Sequence, residues 1–526
     1  MKRYELPPVK VFHLRALPLG LAAMTAGLLF VSTDVWWLAV VLIGASAVAI
    51  TLATVFAKRR RGVGVFCLVC LLLSLLAVVR TFAVADATIG ARSSAMVEGR
   101  IAGADVDEDG KVSAIVLDGV RVDGERVKGR VRVTLNGQTS APFGYVYADA
   151  FGSDYVVGVP IEIGQTASVK GAVSPVSGGY YDSYAMHCKV RRVYHTVRAE
   201  TCEIVDHSPR QTAVEKVRAA LYRNLRADMS GRTAGFAYAF LTGDSSYAAD
   251  EVLEGFRATG TAHLLAVSGL HVGILAGLLL WLFKRFRMPA WAETLALSAV
   301  LGVYAWLCSA TPSVLRASIV AVSFSLTRAL GVHRDKPSLL ALAALLLLTV
   351  NPLWLFDVSF LLSYAAFAGI VLLYSPVRAL LRKVPGKWGD ALSLNLAVTA
   401  STLPMTVYFF GGFSALAVPL NFLLVPVMSA LYPVLMIFAG LSFIPSFGIL
   451  LTLLDVAFVA VTDAVVRIGG VGYLRCAVGV GQLPLYYGAV ALVSPYCLLR
   501  PKWLRYALAG AAVLAVVLWS VLATFV

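Results

Sequence analysis

Charge is what this sequence has least of. Only 14% of its 526 residues are Asp, Glu, Lys or Arg, while 59% are hydrophobic, and the mean hydropathy is +0.79. A soluble domain of this length could not cover its surface with so few polar side chains, which leaves a polytopic membrane protein. Other shortages narrow the chemistry. No glycine-rich loop ending in Gly-Lys-Ser/Thr occurs, which excludes ATP hydrolysis by the Walker route. There is no GxSxG, no HExxH and no HxHxDH-type cluster, so the usual marks of serine esterases, zincins and two-metal hydrolases are missing. No metal site or cofactor is expected. Cysteine is sparse, at seven residues. Cys67 and Cys70 lie in an apolar run on one helix face and read as packing residues. Cys188 and Cys202 are the two in the polar segment 85–207. If that segment faces an oxidising compartment, they are expected to form a disulfide.

The net charge of +15 first suggests a nucleic-acid binder, but its location gives a plainer reading. Residues 85–210 hold 14 Lys and Arg against 16 Asp and Glu, so the rest of the chain carries +17. Short cytoplasmic loops of membrane proteins collect Lys and Arg. Residues 1–84 read as three helices, Ala16–Val31, Trp36–Ala57 and Gly64–Val84, with Lys58-Arg59-Arg60-Arg61 in an inner loop. This places the amino terminus in the cytoplasm and the segment 85–207 outside.

That segment changes character. Short runs alternate apolar and polar residues at 96–102, 112–117, 130–135, 159–163 and 167–173, between turns rich in Gly, Asp and Asn, which predicts a small all-β domain. Lys128, Arg130 and Arg132 alternate and so share one strand face. Lys189, Arg191, Arg192, Tyr194, His195 and Arg198 form a second basic run with an aromatic inside it. Such a pattern suits a single nucleic-acid strand, with cations following phosphates and rings stacking on bases. It equally suits a solvated charged face. Residues 208–240 read as an amphipathic helical connector on the membrane surface or against the β domain.

From 241 to 526 the chain reads as a helical membrane domain, giving about thirteen crossings in all. Spans are expected at 263–283, 291–310, 313–330, 339–353, 358–374 and 392–410. The stretch 413–443 reads as a broken or re-entrant segment near Pro419–Asn421 plus one crossing, and further crossings follow. Within these spans several polar residues fall in the outer half: His263, Ser268, Gly269 and His271 in the stretch TAHLLAVSGLHVGI, then Arg316, Asp357, Ser359 and Asn421. Each alone fits an interhelical hydrogen bond. Together they read as an outward-facing vestibule leading into a pore. Two other classes stay open: an intramembrane hydrolase with Ser268 and His271 as nucleophile and base, and a membrane-anchored binding module.

Several blocks resemble one family. Gly243–Ser246 and Thr261–Val272 resemble the signature of the ComEC-type DNA-uptake channels of natural competence. Pro312–Ala317, Asn351–Tyr364, Thr402–Met405 and Asn421–Pro426 resemble its later blocks in the same order, with Leu361 where Gln is usual. Gly178–Tyr184 is similar to the family's motif closing its extracytoplasmic OB-fold domain. The resemblance implies a channel in the bacterial cytoplasmic membrane that passes single-stranded DNA inward, with no catalysis of its own. The β domain would be an OB-fold presenting the strand through Lys128, Arg130, Arg132, Lys189, Arg191, Arg192, Tyr194 and Arg198. From polarity and position, and not from the resemblance, His263, Ser268, Gly269, His271, Arg316, Asp357, Ser359 and Asn421 are candidate pore or gating residues, with Arg316 holding a phosphate or pairing with Asp357. Implied partners are single-stranded DNA, the lipid bilayer, an extracytoplasmic DNA receptor, and a cytoplasmic ATPase or single-strand-binding proteins. The metallo-β-lactamase-like domain carried by many members has no counterpart in these residues.

Overall fold

A computed structural model describes residues 89–106, 112–135, 163–176, 188–189, 191–206, 211–265, 267–331, 336–444, 448–469, 473–476, 478–479, 481–495, 497 and 501–525. The three expected amino-terminal spans, and nearly all of the expected strand at 159–163, lie outside them.

The polar segment forms a closed β barrel. Its strands are β1 (Arg92–Val106), β2 (Val112–Val122), β3 (Glu125–Arg126), β4 (Arg130–Leu135), β5 (Thr166–Pro175) and β6 (Val193–Asp206). The 15-residue β1 pairs antiparallel with β5 on one edge and β2 on the other. β2 pairs with β4, β4 runs parallel to β6, and β6 returns antiparallel to β5. The cycle β1-β2-β4-β6-β5-β1 therefore closes with a single parallel pair, and β3 only extends β2. Asp123 and Gly124 make the β2–β3 turn with φ of 50° and 85°, the positive pair a two-residue hairpin needs. Period-two alternation builds the core: Val131, Val133 and Leu135 point inward with Val97, Ile101, Ile115, Leu117, Val169 and Val197, while Arg130, Arg132 and Thr134 point outward.

Two residues of the polar segment depart from expectation. Cys202 is a free thiol, fully buried in the barrel core opposite Val169, so the Cys188–Cys202 disulfide is not formed. Cys202 acts as a small apolar packing group, and burial pushes its thiol pKa up to about 12. His195 also points inward rather than joining the basic face. It is 1% exposed, and its Nε2 accepts a hydrogen bond from the Ile89 amide at 2.9 Å.

The helical part begins with α1 (Ala213–Asp228), α2 (Gly231–Thr242) and α3 (Asp250–Ala258). Thr212 and Glu215 form a capping box at the start of α1, and the same Glu215 carboxylate bonds Arg100 of β1 at 3.0 Å, linking barrel to helices. α1 is amphipathic as expected, burying Leu221 and Leu225. α2 is not part of a surface connector. Ten of its 12 residues are buried, with Phe236 and Phe240 at the centre of the largest apolar cluster. The reason lies in composition: GRTAGFAYAFLT has no charge after Arg232, so no face of it favours water. The helical domain therefore starts before residue 241.

The remaining helices are α4 (Gly269–Arg285), α5 (Ala290–Leu307), α6 (Pro312–Ala329), α7 (Lys336–Val350), α8 (Val358–Leu380), α9 (Gly386–Phe410), α10 (Ala417–Leu441), α11 (Ile449–Gly469), α12 (Gln482–Val493) and α13 (Lys502–Phe525). Six of the described helices, α5, α8, α9, α10, α11 and α13, are long and apolar enough to cross a bilayer, and the chain is a multi-pass membrane protein. The stretch after Phe413 corrects the sequence expectation. A two-strand ribbon, Gly412–Ser414 with Tyr473–Arg475, precedes one continuous 25-residue helix. Pro426 and Pro433 sit inside that helix, which an apolar setting tolerates because neighbouring groups satisfy the freed carbonyls.

Candidate functional site

The TAHLLAVSGLHVGI stretch folds as a short 3-10 turn, Ala262–Leu264, followed by the start of α4. Ser268 is the N-cap of α4, and its Oγ accepts from the Leu270 amide at 3.2 Å. His271 stands three residues on, where a capping box carries Glu or Gln. Its Nδ1 accepts from the Ser268 amide at 2.9 Å, with the Ser268 hydroxyl at 3.2 Å. The imidazole thus serves as the acceptor of a helix start. It is 2% exposed and lies between the rings of Phe240 of α2 and Tyr432 of α10, at centroid distances of 4.7 and 4.5 Å. Tyr432 continues the chain of contacts to Tyr304 of α5, hydroxyl to hydroxyl at 2.6 Å, and Tyr304 donates to the Leu241 carbonyl at 3.1 Å. His271 therefore joins α4 to α2 and α10, with α5 reached through Tyr432, and its Nδ1 is engaged by backbone.

His263 is placed differently. Its side chain is exposed, in the short 3-10 turn ahead of α4. The glycines mark close approaches. At Gly260, with φ of 73°, an added Cβ would meet Ala417 at 2.7 Å; at Gly269 it would meet Nη2 of Arg316 at 2.8 Å. The start of α4 is thus pressed against α6, with Arg316 in the contact.

Arg316 is 8% exposed. Its guanidinium carbon lies 5.7 Å from the centre of the Tyr364 ring on α8, a cation–π arrangement. The expected pairing of Arg316 with Asp357 is not made. Asp357 is the N-cap of α8, accepting from the Phe360 amide at 3.0 Å, and Tyr364 lies two helical turns deeper on the same helix. Ser359 is exposed beside this cap. Asn421 lies in the second turn of α10, its Oδ1 buried without a hydrogen-bond partner among the described residues.

On the barrel, Arg130 and Arg132 of β4 and Arg198 of β6 project outward from two adjacent parallel strands. Arg130 lies 3.6 Å from Asp118. Lys128 sits in the turn before β4, and Arg191 and Arg192 in the exposed turn before β6, with Lys189 just ahead of them. The Tyr194 ring lies across the turn at Gly129, where an added Cβ would meet it at 2.4 Å, and the side chain is half-buried.

Sequence reasoning missed Phe240, Tyr304, Tyr364 and Tyr432. The signal was available in part, since a tyrosine in an apolar span needs a partner for its hydroxyl. No group of three or more His, Cys, Asp or Glu that could hold a metal occurs among the described residues.

Residues 240–501 match the Competence family, described as competence protein. ComE operon protein 3 of Bacillus subtilis is 33% identical over 192 residues, covering 36% of this chain and 24% of that protein. An uncharacterised protein of Aquifex aeolicus is 32% identical over 215 residues, 40% of this chain and 48% of its own length. Recombination protein 2 of Haemophilus influenzae is 28% identical over 202 residues, 35% and 25% respectively. The matched stretch thus spans less than half of each relative. No solved structure matches the chain.

Proposed function

This chain belongs to the ComEC-type competence protein family through its residues 240–501, and from that premise we propose that it is a channel for entry of single-stranded DNA during natural transformation. We read the barrel as an OB-fold that receives the strand outside the bacterial cytoplasmic membrane, above thirteen crossings with a cytoplasmic amino terminus. Its closed five-strand cycle with one parallel pair supports that reading, since OB-folds are small Greek-key barrels that bind oligonucleotides. The observation that carries the proposal is the outward row of Arg130, Arg132 and Arg198 on two adjacent parallel strands of the barrel.

The proposed role is transport without catalysis. Nδ1 of His271, which would have to activate Ser268, already accepts the Ser268 backbone amide at 2.9 Å, closer than the hydroxyl at 3.2 Å. Energy would then come from a partner, an ATPase or single-strand-binding proteins inside, with a DNA receptor outside.

The test is the combined substitution of Arg130, Arg132 and Arg198 by Gln in the full-length chain. The expected outcome is intact expression, lower transformation frequency, and weaker oligonucleotide binding. The slope of log affinity against log salt should flatten by about 2, at about 0.7 for each lost phosphate contact on a single strand. Transformation and binding at the unsubstituted level would refute the proposal.

A further inference from the structure

Arg316 is a buried cation in a place that repels cations. It is 8% exposed, and among the described residues no carboxylate lies within ion-pair distance of it. Its Nη2 touches the first residue of α4. That is the positive end of a 17-residue helix, where the dipole favours negative charge and opposes positive charge. Its Nε is buried with no hydrogen-bond partner, and so is the hydroxyl of Tyr364, whose ring the guanidinium overlies. Buried polar groups are nearly always paired, and an unpaired one calls for an explanation. Two sources of positive potential meet there, the guanidinium and the start of α4, and the unpartnered Tyr364 hydroxyl belongs to the ring that the guanidinium overlies. One anion with several acceptor oxygens would supply the acceptors that Nε and the hydroxyl lack.

We infer that Arg316, Tyr364 and the amino-terminal turn of α4 form a binding site for a single phosphate group. A planar guanidinium beside a helix start suits a tetrahedral oxyanion, offering forked donors from one side and the dipole from the other. Resting on the channel reading above, the ligand is a phosphodiester of the passing strand, held one group at a time in the outer half of the membrane domain. Gly269 is required because any side chain there would displace the guanidinium.

The test uses the full-length protein in nanodiscs of phosphatidylcholine, with thermal unfolding followed as inorganic phosphate or oligothymidylate is added. A ligand bound only by the folded state raises the unfolding midpoint. Both anions should raise it by several degrees in the wild type. Arg316→Met, which keeps the bulk and removes the charge, should unfold at or above the wild-type midpoint without anion and show no rise with it. Tyr364→Phe should show a reduced rise. A structural role for Arg316 predicts the reverse, a lowered midpoint in Arg316→Met with the anion response retained, and this would overturn the inference. So would an absence of any response in the wild type. A response to phosphatidylglycerol in the disc but none to oligothymidylate would assign the site to a lipid headgroup and overturn the strand assignment. The channel reading is judged separately. Loss of the anion response with transformation intact leaves the site standing and refutes its part in uptake, whereas loss of transformation with the response intact refutes the site alone.

Discussion

His271 offers the sharpest separation between a residue that touches DNA and one that builds the helix presenting it. Its ring fills the space between Phe240 and Tyr432, and its Nδ1 takes the Ser268 amide. Replacing His271 by Ala removes both. Loss of an N-cap interaction costs about 0.5–2 kcal/mol, and truncation of a buried side chain of this size about 2–5 kcal/mol. The two together come to about 3–7 kcal/mol, a large share of the roughly 5–15 kcal/mol that holds a typical protein folded. His271→Gln keeps an acceptor of the kind a capping box uses and loses only the ring contacts. His271→Phe keeps the ring and strands the Ser268 amide, at about 1–3 kcal/mol. The expected order of stability is wild type, then Gln and Phe, then Ala. The measurement is denaturant unfolding of the full chain in mixed micelles, alongside the folded yield in membranes and transformation frequency. Uptake should fall in step with folded protein. If His271→Ala folds like the wild type while transformation is abolished, the capping argument is wrong and the imidazole acts on the strand directly.

Two further predictions rest on other contacts. Gly260→Ala places a methyl group 2.7 Å from Ala417 on a backbone with φ of 73°, so it should destabilise by about 1–3 kcal/mol, read as a lowered unfolding midpoint. For the barrel, burial holds the His195 pKa below its usual value, and protonation would destroy its acceptor role toward Ile89. The unfolded chain therefore takes up the proton first. Barrel stability should be full above about pH 6.5 and fall as pH drops from there toward the lowered folded value. Hydrogen exchange at Ile89 and along β6, corrected for intrinsic rates, should rise below pH 6.5 in the wild type, and His195→Phe should remove that dependence.

The outline of the molecule was legible where one pattern dominated. Alternation at 130–135 fixed both the strand and its basic face, because a period of two assigns every side chain to a side. Helices beyond 290 appeared close to their expected ends, since about 20 apolar residues between basic loops leave few alternatives. What misled was local chemistry without a partner in view. Ser268 and His271 one turn apart suggested a catalytic pair, and the same spacing also builds the capping box at the start of α4. Arg316 and Asp357 looked complementary in charge, yet Arg316 meets α8 at Tyr364, and sequence does not reveal such an offset in depth. Cys202 suggested a disulfide from composition, whereas its place in the strand register turns it into the barrel core. The proline- and glycine-punctuated stretch 413–443 suggested a broken segment near Pro419–Asn421, but a helix packed among other helices accommodates its prolines.

The buried α2 has a consequence for how the chain is made. At 12 residues it is too short to span a bilayer, and besides Phe256 and His271, which follow soon in sequence, it packs against Tyr432 of α10 and Phe458 of α11. The last two leave the ribosome about two hundred residues later. At roughly 5–20 residues per second, α2 waits on the order of ten to forty seconds before its enclosure can be completed. During that interval its apolar surface has to be held by the insertion machinery or the lipid interface. Variants that slow synthesis between residues 243 and 458 should therefore lower the yield of assembled protein without changing a single contact in the finished one.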